Sequence, residues 1–160
     1  MAYFYLVRTF GAVPITLQTF AVGLVAAILK PREATLAATL YLILGAIGLP
    51  VFAGGGGGLQ AFFGPSAGYL LAYPFFALVT SALAHAKTPI WKIFLAFVLG
   101  DALVFVGGIL SLHFLGKMGW SAAVAVGLTP FIIPDLLKGL IVALVTKPVL
   151  KALKNHSYFN

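Results

Sequence analysis

The chain has 160 residues, of which 62% are hydrophobic and 8% are charged, and its formal net charge is +7. A water-soluble domain carries roughly 25% charged residues, so this composition excludes a soluble globular protein and predicts an integral membrane protein. The positive charge does not indicate nucleic-acid binding, because the ten Lys and Arg residues are scattered at the ends of apolar segments, where basic residues report membrane orientation.

Turn residues and charges divide the chain into five apolar segments. A membrane helix needs roughly 20 mostly apolar residues, and we predict spanning helices over 14–29 (a short one), 34–50, 65–84 or 68–84, 90–115 and 134–150. Residues 121–133 are apolar but too short to span, and Pro130 and Pro134 bracket a break in the helical pattern, so a re-entrant or capping piece is expected there. We expect one integral membrane domain over 1–160, with 14–154 as its core.

The basic residues predict which side of the membrane each end faces. With a cytoplasmic C-terminus, most of them lie inside, as the positive-inside rule requires: Lys30, Arg32, Lys87, Lys92, Lys147, Lys151 and Lys154. Five spans then place the N-terminus outside. We therefore expect either that residues 1–13 belong to a further helix or that a first helix is missing from this chain.

Asp135 and Lys138 are the first candidates for a functional site. Their i, i+3 spacing puts both on one face of a helix, near its start, where the dipole favours an anion. In one interpretation Asp135 caps the helix and Lys138 reaches the lipid headgroups. In the other, the two form a polar pair at the bottom of an outward-open pocket and bind a ligand that carries both donors and acceptors.

Asp101 lies about eleven residues into the fourth segment, roughly at mid-bilayer. Intramembrane charges are costly and are functional candidates by default, but a structural role as a neutral acid or as an acceptor is favoured here over a ligand or ion-relay role. No metal-ligand set, nucleophile–base pair or carboxylate dyad is present in the sequence. The absence of cysteine excludes thiolate chemistry as well.

A glycine run, Gly54 to Gly58, lies between the second and third segments. Irregular backbone at membrane depth requires cover by protein or a cavity, so we favour a lid over residues 52–63 that becomes ordered on ligand binding; a flexible outer loop is the alternative. Polar residues near the start of the first segment either face the same cavity or make interhelical hydrogen bonds: Thr16, Gln18 and Thr19.

Three segments together resemble one family. They are Val13-Pro-Ile-Thr-Leu-Gln-Thr19, then Tyr41-Leu-Ile-Leu-Gly-Ala-Ile-Gly-Leu-Pro-Val-Phe-Ala-Gly54 with Gly64-Pro-Ser-Ala-Gly-Tyr-Leu70, and Pro130-Phe-Ile-Ile-Pro-Asp-Leu-Leu-Lys138. Their combination resembles the BioY family, the biotin-binding S components of energy-coupling factor transporters, over about residues 13–150.

The resemblance implies a multi-pass plasma-membrane protein with six helices, cytoplasmic termini and a biotin pocket near the outer face. It also implies a membrane coupling subunit (T component) and two ATP-binding-cassette ATPases as partners, so the chain itself is expected to be no enzyme and to need no cofactor. Asp135 and Lys138 match the polar pair that contacts biotin, Tyr69 matches the pocket tyrosine, and residues 52–63 match the lid. The full set of predicted contacts is Asp135, Lys138, Tyr69, Gln18, Phe52, Gly58 and Phe63.

The chain departs from the family pattern at its N-terminus. The family begins with a full helix whose Ala-x-x-x-Ala-like pattern docks the coupling subunit, whereas only residues 1–12 precede the first motif here. We expect an S-component-like bundle of five to six transmembrane helices whose first helix is truncated or whose start is mis-called; true five-helix architecture is the alternative. Two other functions stay open: a binder of another vitamin or small carboxylic acid, and a non-catalytic structural membrane subunit.

Overall fold

A computed structural model describes residues 16–84, 87–153 and 155–159. Six α-helices follow one another in this part of the chain: α1 (Gln18–Ile28), α2 (Pro31–Ala46), α3 (Ala67–Leu83), α4 (Ile90–Phe114), α5 (Trp120–Gly127) and α6 (Ile132–Leu153). Three short 3-10 turns accompany them, at Ala53–Gly55, Leu59–Phe62 and Ser157–Phe159. The described residues form no β-strand beyond one isolated bridge between Phe52 and Gly56. The predicted all-α class is confirmed.

Each predicted apolar segment overlaps one of these helices, although α2 begins three residues before its segment and α6 extends beyond its segment at both ends. The fourth segment and α4 agree to within a residue at both ends, and the interrupted stretch at 121–133 forms the short helix α5 followed by a turn. Residues 1–15, 85–86, 154 and 160 lie outside the described residues. The predicted remnant of a first helix, residues 1–13, therefore lies outside them. So do Pro14, His85 and Lys154.

The ends of α2 follow from local sequence. Pro31 occupies the first helical position, where its missing N–H is not needed, and Glu33 lies in the first turn, where an anion complements the helix dipole. The helix ends at Ala46, and Gly48, two residues further on, has φ 109° and donates its N–H to the Gly45 carbonyl at 3.1 Å. This left-handed residue turns the chain into the connection that carries the glycine run.

The exterior of the bundle is apolar and part of its interior is polar. Large side chains such as Phe75 and Trp91, both 62% exposed, lie on the outer surface, whereas Thr80, Ser81 and Thr146 are fully buried. A soluble protein shows the opposite tendency, while helices packed in lipid place small and hydroxyl-bearing residues between them. The arrangement is that of a membrane protein.

Helix length separates α4 from its neighbours. Within the described residues, α4 is the one helix that is long and apolar enough by itself to cross a membrane, and α5 and α6, joined at a bend of 44°, meet the same criterion as a pair. Helices α1 and α3 are apolar but have 11 and 17 described residues. Among the described residues, the fourth of the five predicted segments therefore corresponds to a helix that meets this criterion alone, and the helix of the first segment is short, as predicted.

Helices α1 to α4 alternate in direction and α5 and α6 form one bent pair, so the helix ends lie at two opposite ends of the bundle. Helix α4 packs most extensively on α3, and α1 lies against both α3 and α6. At the centre, the rings of Phe76 and Phe97 meet edge to face at 5.2 Å. The first turns of α1, α3 and α6 and the second half of α4 meet at one end, together with the connection between α2 and α3, and this end contains the site.

Candidate ligand-binding site

A cavity of about 280 Å³ opens at that end of the bundle. Its volume is close to the lower limit of about 300 Å³ typical of small-molecule sites. The α1 and α6 side of its lining is polar and the α3, α4 and α5–α6 side is mostly apolar. The cavity thus has a polar end and an aromatic wall, as an amphipathic ligand requires.

An ion pair forms the polar end. The Lys138 ammonium donates to the Asp135 carboxylate at 2.5 Å, to the Thr16 carbonyl at 2.6 Å and to the Thr19 hydroxyl at 3.1 Å. The Thr19 hydroxyl lies 3.1 Å from the Asp135 carboxylate and donates to it. Both charged residues are buried, with 5% of Asp135 and 9% of Lys138 exposed. This network joins the first turn of α1 to that of α6.

The backbone of α6 explains how the pair forms. Helix α6 begins at Ile132, so Asp135 lies inside its first turn, and its N–H donates to the Phe131 carbonyl at 2.9 Å. The interpretation of Asp135 as a cap with Lys138 reaching the headgroups is therefore wrong. The i, i+3 spacing instead turns both side chains toward α1, where the two charges satisfy each other.

Aromatic side chains form another part of the cavity wall. Tyr69 and Tyr73 of α3 line the cavity together with Phe131, at the start of α6, and Phe52 of the α2–α3 connection. Tyr73 is not among the contact residues predicted from the sequence. It lies one helical turn after Tyr69 on α3, so the i, i+4 spacing from Tyr69 could have identified it. The Tyr69 hydroxyl donates to the Gly127 carbonyl at 2.7 Å, which ties α3 to the end of α5.

Replacing Tyr69 with phenylalanine should lower the free energy of unfolding by about 1–2 kcal/mol, because the buried Gly127 carbonyl loses its donor. The ring and its packing stay. Thermal unfolding of the purified protein in detergent would measure the change. Tyr158→Phe is the control, since that hydroxyl accepts from the exposed Lys30 N–H and should cost less; equal losses for both variants would contradict the assignment.

The predicted lid, residues 52–63 and called the lid loop below, borders the cavity. Phe52 is 7% exposed and its ring lies against Gly45 of α2, where a side chain would collide with it. Ala53, Gly56, Gly57, Gln60 and Ala61 also line the cavity. The Gln60 amide donates to the Gly57 carbonyl at 2.6 Å. The lid loop is therefore folded on itself beside the site; ordering on ligand binding stays a prediction.

Gly58 and Phe63 lie outside the cavity lining. Gly58 has φ 99°, a conformation that favours glycine, and its N–H donates to the Gly45 carbonyl at 2.6 Å. Phe63 is 77% exposed. The structure thus brings together five of the seven predicted contact residues, namely Asp135, Lys138, Tyr69, Gln18 and Phe52.

Gln18 both lines the cavity and bonds to its neighbours. Its side-chain carbonyl accepts from the Thr16 hydroxyl at 3.0 Å, and its amide nitrogen donates to the Tyr41 hydroxyl of α2. The two readings for this residue, cavity lining and interhelical hydrogen bonding, therefore both hold.

Asp101 is buried in α4, and its Oδ1 atom has no hydrogen-bond partner in the described structure. It does not line the cavity, whereas Val104 and Phe105, one turn further along α4, do. Among the residues described, no group of three His, Cys, Asp or Glu side chains could hold a metal ion.

The fold and the site define a membrane protein with an internal small-molecule cavity that is polar at one end. The sequence model of the BioY family matches residues 1–155, and the chain belongs to this family. Its family and fold are those of a transporter S component.

Individual relatives agree. The chain is 41% identical to "Biotin transporter BioY2" of Lactococcus lactis subsp. cremoris (strain MG1363), covering 93% of this chain and 83% of the relative. It is 38% identical to "Biotin transporter BioY" of Thermotoga maritima, over 84% and 79% of the two chains. Its structure is similar to the crystal structure of the S-component for biotin from an ECF-type ABC transporter, with a TM-score of 0.81, 27% identity, and coverage of 92% and 81%.

Proposed function

We infer that this protein is the biotin-binding S component of an energy-coupling factor transporter. The observation that carries this function is the buried Asp135–Lys138 pair at the polar end of an aromatic-walled cavity, in a chain of the BioY family. Biotin offers ureido N–H donors and a carbonyl, an apolar bicycle and a carboxylate. The ion pair accepts through its carboxylate and donates through its ammonium, and the aromatic side chains beside it line the same cavity. This combination suits a ligand that joins polar groups to an apolar ring system.

We propose that Asp135, Lys138 and Gln18 contact the polar groups of biotin, and that Tyr69 and Phe52 contact its rings. Both members of the ion pair are already held by Thr16 and Thr19, so little ordering of side chains is needed when the ligand binds. A preorganised polar end favours affinity, because the cost of fixing long side chains is already met during folding. Gly58 and Phe63 are proposed as lid-loop residues that reach biotin after rearrangement of that loop.

The proposed orientation places the cavity toward the outside. Lys30, Arg32, Lys92 and Lys151 lie near the α1–α2 junction, the start of α4 and the end of α6, at the end of the bundle opposite the cavity. Positive residues mark the cytoplasmic side. We therefore propose a cytoplasmic C-terminus and one integral membrane domain over the whole chain, with biotin captured from outside.

Transport then depends on partner subunits. We propose that a T component and two ATP-binding-cassette ATPases dock on the cytoplasmic side, that the ATPases hydrolyse ATP, and that the resulting reorientation releases biotin inside. The chain's own residues bind and orient the vitamin. The similarity to an S-component from an ECF-type ABC transporter supports this assignment.

Equilibrium binding to the purified protein in detergent tests the function. We expect saturable binding of radiolabelled biotin at one site per chain, without ATPases present, and competition by unlabelled biotin but not by thiamine or riboflavin. Displacement by another vitamin and not by biotin would instead assign an S-component-like protein of different specificity. A folded sample whose melting temperature does not change with any vitamin would indicate a structural membrane subunit.

A further inference from the structure

We propose that Tyr41 is a positioning residue that latches the lid loop and sets the rates of ligand association and dissociation without contacting the ligand. The proposal rests on the proposed function for the identity of the ligand. Its own basis is the position of one tyrosine between three elements that border the cavity.

The Tyr41 hydroxyl connects α1 to the chain just before the lid loop. It donates to the Val51 carbonyl at 2.9 Å and accepts from the Gln18 side-chain amide. Val51 directly precedes Phe52, the first residue of the lid loop, and Gln18 lines the cavity. One hydroxyl thus links a cavity-lining polar side chain to the backbone at the lid's first hinge.

The Tyr41 ring makes a second set of contacts. It meets the Phe52 ring edge to face with centroids 5.7 Å apart and the Tyr73 ring at 6.3 Å. Phe52 in turn contacts Phe62 at 5.6 Å, near the far end of the lid loop. Each aromatic pair contributes a small amount of stability. Together these contacts hold the buried Phe52 ring in the cavity wall.

Tyr41 itself does not belong to the cavity lining, although Gln18, Phe52 and Tyr73 do. The far end of the connection is fastened separately, by the Ser111 hydroxyl donating to the Pro65 carbonyl at 2.8 Å. The lid loop is therefore held at both ends. Of the two attachments, the one at Tyr41 also involves Gln18, which lines the cavity.

A latch of this kind has a distinct kinetic consequence. If the lid loop must open for biotin to pass in either direction, weakening the latch raises the open fraction in both the free and the bound protein. Association and dissociation then accelerate together and the affinity changes little. Loss of a direct ligand contact behaves differently, since it raises mainly the dissociation rate.

Tyr41→Phe removes the hydroxyl and keeps the ring. Stopped-flow association and a chase with unlabelled biotin should both show rates about tenfold higher, with the dissociation constant changed less than about threefold, as expected for losing two neutral hydrogen bonds at one hydroxyl. Tyr41→Leu removes the ring contacts as well and should raise both rates further. Tyr158→Phe, which alters a tyrosine hydroxyl bonded to Lys30 at the opposite end of α1, should leave both rates unchanged.

A second readout needs no biotin. The chain contains no cysteine, so a spin label on Leu59→Cys, an exposed position in the lid loop, reports only on that loop. Its mobility should increase in Tyr41→Phe and not in Tyr158→Phe. Unchanged label mobility, or a rise in the dissociation rate alone, would overturn the latch. If biotin does not bind the wild-type protein, the proposed function is wrong. The mobility of the spin label would still test whether Tyr41 restrains the lid loop.

Discussion

Replacing Lys138 with alanine should weaken biotin binding by at least about 100-fold. The ammonium makes three hydrogen bonds at the polar end of the cavity, to Asp135, Thr16 and Thr19. Its removal deletes a proposed ligand donor and also leaves the Asp135 carboxylate buried without a counter-charge. Truncating one partner of a buried, hydrogen-bonded charge pair costs about 2–5 kcal/mol, and equilibrium binding of radiolabelled biotin in detergent measures the loss.

Controls separate recognition from folding. Lys151→Ala removes an exposed lysine from the other end of the same helix and should bind biotin as the wild type does. The double variant Asp135→Asn with Lys138→Met removes both charges, so it should melt at a higher temperature than Lys138→Ala and still fail to bind. Tight biotin binding by the double variant would contradict the proposed role of the pair.

Part of the site was readable from short-range sequence. The segment Pro134-Asp-Leu-Leu-Lys138 specifies a helix start and an i, i+3 pair, and both the element and the shared face follow from local rules. The glycine run also marked the connection that borders the cavity. These features depend on residues only a few positions apart, where backbone geometry leaves few choices.

The remainder depends on contacts between distant segments. Thr19 reaches Asp135 across 116 positions, and Tyr69 reaches Gly127 across 58; no local pattern encodes either partner. The aromatics of the lid loop illustrate the same limit. Phe52 is buried against Gly45 of α2 and Phe63 is exposed, although both flank the glycine run. The direction of each ring depends on the turns between them, where Gly54, Gly55 and Gly58 have positive φ.

The sequence contains the small-xxx-small pattern Gly64-x-x-x-Gly68, and the structure places its two glycines in different surroundings. Gly64 precedes α3, which begins at Ala67, and a Cβ there would meet only the Gln60 carbonyl at 3.9 Å. Gly68 lies in α3 against Gly107 of α4, and a Cβ on either residue would overlap the backbone carbonyl of the other. Only Gly68 therefore belongs to a close helix contact, where small residues allow the backbones to approach.

This difference predicts a large effect for one alanine and a small one for the other. Gly68→Ala should lower the free energy of unfolding by about 3 kcal/mol, the upper part of the range for overpacking, because the obstacle is the backbone of α4, which cannot rotate away as a flexible side chain can. Gly64→Ala should change it by less than about 0.5 kcal/mol. Thermal unfolding in detergent compares the two variants directly.

Biotin binding extends the comparison to the site. Gly68 is followed by Tyr69, and Gly107 by Gly108, whose own Cβ position is occupied by the Tyr69 ring. Separating α3 from α4 at Gly68 therefore moves the aromatic wall relative to the Asp135–Lys138 pair, and Gly68→Ala should lose biotin affinity in the fraction that stays folded. Wild-type melting and wild-type affinity in Gly68→Ala would show that α3 and α4 do not meet at these glycines, and the arrangement of the cavity around Tyr69 would have to be revised.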